Sequence, residues 1–447
     1  MTLYKNISIY YLSSFVGKFL QFFLIILISK KVSVIAFGYY SFALNLISIL
    51  CLISLIGIPQ FLTLKISSLK NNDKKFFIIL NYIANTSIFC GVLFIISAIF
   101  IYFYYKNIFI GGNINFLWFL LFGYILILFT INNAVLSGLE KTSQVSISDS
   151  VIKNILLIFF IFFISDYTVN GIFKSYFFSI FIVFFIMIFF TLRNFKSNFN
   201  NISKVQYFSF TFLDKNNRKL LAATGMVEMV SIFFSFTPIF LTEKLLAIEK
   251  LGIYNFAFLI SSSALILVNS ISASSFPMIS RLRSENKTGE ILQLIISLRF
   301  LNTLFIFIFI PAFFLIYKYF LYFFGNSLHN DSANYIFFFL LCHLILSFFS
   351  LNTNLLFIYN YQKKIIRNYL ISILIVSPFF LYLIINYGVT GSVLVYFCLS
   401  ITFAIINEIT VHKIFKRSIF FDIFLFKKNF IFLKKIFKFY FSKPLKK

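Results

Sequence analysis

Residues 251–283 read LGIYNFAFLISSSALILVNSISASSFPMISRLR, and an echo of that stretch stands earlier in the chain. Residues 37–66 read FGYYSFALNLISILCLISLIGIPQFLTLKI. Setting Gly38 on Gly252 also sets Tyr40 on Tyr254, Phe42 on Phe256 and Ala43 on Ala257. Each copy runs on to a proline, Pro59 and Pro277, four residues out of register. That offset is about one helical turn, which an insertion in a duplicated helix absorbs. An echo at nearly half of 447 residues predicts two similar halves packed face to face around a midplane.

Working outward, the composition says what kind of solvent this chain meets. Hydrophobic residues make up 60% and charged residues 12%, with mean hydropathy +0.95. Soluble domains carry about 25% charged residues, so a soluble globular chain is excluded and a polytopic membrane protein expected. The net charge of +26 accompanies heavy use of Phe, Ile, Lys, Asn and Tyr, the usage of an AT-rich genome. It therefore implies no anionic partner by itself, and no nucleic-acid partner is expected. Cys51, Cys90, Cys342 and Cys398 all fall in apolar segments without metal-like spacing, and only His343 of the three histidines lies in one. No disulfide framework, metal or cofactor is expected. No Gly-rich phosphate loop precedes a Lys-Ser/Thr pair, which argues against ATP hydrolysis. The first apolar segment lacks a small-residue cleavage site, so no cleavable signal is expected.

About 20 mostly apolar residues span a bilayer as a helix. By that rule the chain divides into twelve spans, at 7–28, 38–60, 77–103, 115–137, 147–165, 172–191, 220–241, 253–275, 293–317, 334–357, 368–387 and 392–412. Loop charges set the orientation. With the N-terminus cytoplasmic, the inside segments hold twenty-nine of the 39 Lys and Arg, and the outside loops hold only Lys30, Lys31, Lys106, Lys244, Lys250 and Lys318. Both ends are then cytoplasmic. The expected organisation is a six-helix lobe over 1–191, a basic cytoplasmic linker over 192–219, a second six-helix lobe over 220–412 and a basic amphipathic tail over 413–447. The tail alternates aromatic and aliphatic residues with lysines, which suits it to an anionic inner leaflet.

Ionisable groups inside a membrane are costly and face a cavity or one another. Those within the spans are Lys18, Asp149, Lys153, Lys174, Glu228, Arg299 and Glu408. Asp149 and Lys153 stand four apart on one helix face, where they can neutralise each other. Lys174 and Arg299 lie near predicted span ends, within snorkelling reach of the interface. Lys18 and Glu228 sit deep in their spans with no opposite charge three or four residues away. If the halves are duplicates, the two come within about one turn of equivalence and face a shared cavity. Lys18 is then a candidate for holding an anionic headgroup and Glu228 for gating or ion coupling; Glu408 is a second candidate coupling carboxylate.

The pattern GIYNFAF, an apolar helix, then SSFPMISRLR at 252–283 resembles the polysaccharide exporters of the multidrug/oligosaccharidyl-lipid/polysaccharide superfamily, particularly the O-antigen flippases called Wzx. The first-half copy at 36–60, the FG pair at Phe324 and Gly325, the SGLEKTS segment at 138–144 and the twelve-helix layout look the same. The resemblance implies a two-lobed carrier in the bacterial inner membrane, moving an undecaprenyl-diphosphate-linked oligosaccharide from the cytoplasmic to the periplasmic leaflet. A polysaccharide polymerase and a chain-length regulator are the protein partners it implies. Family members place cations in a central cavity; Lys18 fits that pattern, and Lys174, Arg299 and Lys153 fit if they turn inward. Two other readings remain open at this point. A cation or drug antiporter of the same superfamily would be expected to carry more acidic sites in the membrane. A polysaccharide polymerase would be an enzyme with a large catalytic outside loop, whereas the loop at 318–333 offers only Lys318, His329 and Asp331.

Overall fold

The computed structural model describes residues 2–68, 75–139, 141–163, 167–193, 215–265, 268, 275, 279, 282–283, 285–324 and 327–415. In chain order the helices are α1 (Thr2–Lys31), α2 (Val34–Leu55), α3 (Ile58–Ser68), α4 (Lys75–Tyr104), α5 (Lys106–Gly111), α6 (Phe116–Gly138) and α7 (Thr142–Ser146). A π-helical segment (Ile147–Ile152) leads directly into α8 (Lys153–Phe163), followed by α9 (Val169–Arg193), α10 (Lys215–Leu245) and α11 (Ile248–Ser261). After a 3-10 turn (Ser262–Leu265) come α12 (Thr288–Phe324), α13 (Ser327–Ser347), α14 (Asn352–Ile358) and α15 (Gln362–Phe415). Chains this apolar satisfy their backbone internally, and helices do that within one segment. Polar residues mark the starts: the Ser33 hydroxyl accepts from Ala36 N–H at 3.2 Å, and the Asn115 carboxamide accepts from Leu117 N–H at 2.9 Å. Ile88, Val92, Ile96, Ile99 and Phe103 form an exposed stripe at helical spacing along α4, the face such a helix turns to lipid.

Among the described residues, nine helices are long and apolar enough to cross a membrane. A tenth counts if Asp331–Ser347 and Asn352–Ile358, bent by 42° at their junction, form one span. The 54 residues of α15 amount to about 80 Å of helix at 1.5 Å per residue, more than one bilayer crossing, and form two helices joined across a kink. Two expected spans, 368–387 and 392–412, lie along it, divided at Gly388, whose φ of 57° and ψ of −130° are non-helical. Part of the expected span at 253–275 lies outside the described residues, as do Pro277, Gly325, positions 194–214 of the linker and positions 416–447 of the tail.

One expected span divides differently. The segment 38–60 was expected to run unbroken to Pro59, but α2 stops at Leu55 and α3 starts at Ile58. Ile56 and Gly57 between them are both left-handed, with φ of 32° and 72°. Glycine tolerates that conformation, and Pro59 then sits in the first turn of α3, where its missing N–H costs nothing.

The chain forms two compact units, Lys5–Phe236 and Thr237–Lys447 with Met1–Tyr4, the division falling within α10. In the first, α6 is the hub, packed against α2, α3, α4 and α9. Phe119, Phe122 and Phe173 fill its core, and Tyr40 donates to the Tyr176 hydroxyl at 2.9 Å. In the second, α13 packs against α11, α12 and α15. There Tyr254, Phe258, Phe339 and Tyr396 meet edge to face. The echoed residues hold matching places. Gly38 and Gly252 each stand four residues beyond the first residue of their helix, and both copies of the Gly, Tyr, Phe and Ala set are buried.

Candidate functional site

Inside the first unit, α1 lies against the π segment because Gly17 has no side chain. A Cβ there would stand 2.3 Å from both the Cβ and the carbonyl oxygen of Ser150. The Asn154 carboxamide fastens the contact, donating to the Gly17 carbonyl at 2.8 Å and to the Ser150 carbonyl at 2.7 Å. One turn away the Ser146 hydroxyl meets those of Ser13 at 2.7 Å and Ser14 at 3.1 Å. This seam brings Lys18 within electrostatic reach of both Lys153 and Asp149. Lys153 and Asp149 form a salt bridge across the end of the π segment. The Lys153 ammonium also lies 5.7 Å from the centre of the Phe129 ring. The cluster holds two lysines and one carboxylate, a surplus of positive charge beside hydroxyls: Asp149 pairs with Lys153, and Lys18 is exposed. π turns gather at functional positions because they re-aim side chains.

Glu228 occupies a second place in the same unit. Its carboxylate accepts from Gly57 N–H at 2.7 Å and from the Gln60 carboxamide, so it caps the left-handed break between α2 and α3. Gly225, one turn earlier, packs on Ile56: a Cβ there would lie 2.5 Å from the Ile56 Cγ2. The spacing Gly-x-x-Glu thus reads the break with shape at one end and charge at the other. Sequence reasoning singled out Glu228 but missed Gly57, Gln60 and Gly225. The signal available was the Gly-x-Pro of 57–59, a helix breaker inside a hydrophobic run.

The remaining predicted residues are not gathered there. The Lys174 ammonium sits 5.7 Å over Trp118, which suits an interfacial anchor. Arg299, expected near a span end, lies well inside α12 and has no exposed surface. Its guanidinium donates to the Ser350 carbonyl at 2.8 Å, to the Glu408 carboxylate at 3.0 Å and to the Asn352 carboxamide oxygen. Asn352 in turn donates to the same Glu408 oxygen at 3.0 Å. The snorkelling expectation for Arg299 is therefore corrected, because a partner carboxylate and two further acceptors hold it inside the second unit. Glu408 is committed to the same network. No group of three or more His, Cys, Asp or Glu positioned for a metal occurs among the described residues.

The fold matches those of solved transporters of the multidrug/oligosaccharidyl-lipid/polysaccharide, or MOP, superfamily. The lipid II flippase MurJ in an inward closed conformation aligns with a TM-score of 0.66 at 16% identity, covering 98% of this chain and 93% of that one. An outward-facing multidrug resistance MATE family transporter aligns at 0.64 and 12% identity over 92% and 97%. A MOP superfamily transporter from Pyrococcus furiosus, described as having a binding pocket of reverse polarity, aligns at 0.61 and 13% identity over 91% and 93%. No curated protein matches the sequence. The chain belongs to the polysaccharide biosynthesis protein family, whose profile matches residues 3–283.

Proposed function

We propose that this protein is a flippase of the bacterial inner membrane that carries an undecaprenyl-diphosphate-linked oligosaccharide, an O-antigen or capsule repeat unit, from the cytoplasmic to the periplasmic leaflet by alternating access. The observation that carries the reading is the Lys18, Lys153 and Asp149 cluster in a chain of the polysaccharide biosynthesis family. Two ammonium groups on two membrane spans attract the diphosphate, and the neighbouring serine hydroxyls suit phosphate or sugar oxygens. Glu228 acts as a gate, since releasing Gly57 N–H frees the α2–α3 break to bend. Lys174 serves as an anchor, and the Arg299 and Glu408 network holds the second lobe in one arrangement. Residues 1–191 and 220–412 are the two lobes, the basic tail rests on the inner leaflet, and the polymerase and chain-length regulator act next. The MATE likeness fits a drug antiporter as well. Against it, Asp149 and Glu408 are each paired with a cation, and Glu228 is taken up by the Gly57 amide and the Gln60 carboxamide, so these carboxylates offer little to a cationic drug.

Deleting the gene in its native host and extracting undecaprenyl-linked intermediates tests the reading. Complete repeat units accumulate on the cytoplasmic leaflet, and the wild-type gene restores surface polysaccharide. Lys18→Gln and Glu228→Gln each lower that restoration at least about tenfold, the loss of one well-placed charge. Units that reach the periplasmic leaflet normally and fail only to polymerise would point to a polymerase. Unchanged polysaccharide with raised cationic-drug sensitivity would point to extrusion.

A further inference from the structure

Asp149 has no evident place in an anion site. A carboxylate in a cluster with two lysines weakens what the lysines are there to hold, yet here it forms a salt bridge with one of them. Two observations account for it together. First, two uncompensated ammonium groups on membrane spans are expensive whenever the site is empty, and a resident carboxylate reduces that cost. Second, the carboxylate is mounted to move. It belongs to the π segment Ile147–Ile152, while Lys153 opens the α-helix that follows. Residues four apart share a face in α-helical pairing as well, so no change of helix type is needed: a turn about the Asp149 side-chain bonds takes its carboxylate off Lys153 while the backbone stays in place. The Asp149 side chain is 38% exposed, so packing does not lock it.

We propose that Asp149 is a displaceable counter-ion. It occupies Lys153 when the site is empty, releases Lys153 to join Lys18 on the arriving diphosphate, and re-forms its salt bridge to drive the anion out after the carrier has turned over. The inference rests on the flippase reading and adds how that site lets go. A carrier must bind well enough to load and weakly enough to unload, and an internal competitor provides the second half. Ser150, whose carbonyl accepts from Asn154, stays against Gly17 and keeps α1 in place during the exchange.

The test uses the full-length protein in lipid nanodiscs with undecaprenyl diphosphate as the probe, alongside complementation of the deletion host. Asp149→Asn binds the probe about five- to tenfold more tightly than wild type, as expected when one ion pair no longer competes. The same variant restores less surface polysaccharide, since unloading becomes slow. Asp149→Glu keeps wild-type affinity, and Asp149→Ser repeats the tighter binding should the asparagine variant fold poorly. Unchanged or weaker binding by both Asp149→Asn and Asp149→Ser overturns the counter-ion role. If Lys18→Gln weakens binding in that same experiment, the anion site survives and only the counter-ion is lost. If wild type does not bind the probe, the flippase reading falls and takes this inference with it.

Discussion

A guanidinium with no exposed surface, held by Glu408, Asn352 and Ser350, ties α12 to the α13–α14 junction and to α15 through one side chain. Removing one partner of such a pair leaves the other charge buried and unpaired, which costs about 3–5 kcal/mol, whereas replacing both by apolar groups is often neutral. Arg299→Leu and Glu408→Leu are therefore each expected to lower the apparent Tm sharply in detergent. The double variant recovers much of the loss. A thermal unfolding series on the four proteins checks this, and a double variant that loses the sum of the two single losses would contradict a paired role. Single residues are also where sequence reading went furthest and stopped soonest. Rarity in an apolar span is enough to single out Lys18, Glu228, Arg299 and Glu408, because burying charge is costly wherever it happens. Which of them meet depends on helices distant in sequence, so the Arg299–Glu408 pair, 109 positions apart, was not legible.

At the scale of elements, glycine sets the closest approaches. Gly17 lets α1 touch the π segment and Gly225 lets α10 touch the α2–α3 break. Gly289 has nothing within 4 Å and serves as the control. Gly17→Val and Gly225→Val are expected to destabilise by about 1–3 kcal/mol each, the usual consequence of overpacking. Gly289→Ala, near the start of α12, stays near wild type or slightly above it. Chemical or thermal unfolding of the three variants distinguishes them; a silent Gly17→Val would mean that α1 does not depend on that contact. The break at Ile56 and Gly57 was half legible. Glycine and proline two residues apart announce an interruption, but hydropathy passes straight through it because the residues on both sides are apolar.

For the whole molecule, the unequal loop charges make a topology that is open to direct labelling. In a background with all four cysteines replaced by serine, Lys106→Cys and Lys250→Cys are expected to react with a membrane-impermeant thiol reagent added outside. Lys364→Cys reacts only after the membrane is opened. The reverse pattern would invert the protein and place the α2–α3 break and Glu228 on the opposite side.

Hydropathy alone establishes that the chain is a bundle of membrane-crossing helices, because the cost of exposing an unpaired backbone to lipid is paid residue by residue and needs no tertiary partner. The echo of Gly38, Tyr40, Phe42 and Ala43 in Gly252, Tyr254, Phe256 and Ala257 belongs to the same local kind of evidence, and both copies take the same buried place on their helices. Tertiary structure decided the rest. It set Lys18 beside Lys153 and Asp149, placed Glu228 on the Gly57 amide and closed Arg299 onto Glu408. In a chain whose helices are apolar on nearly every face, periodicity does not say which face meets which neighbour. Small residues and polar contacts make that choice, and they act only once the helices are together.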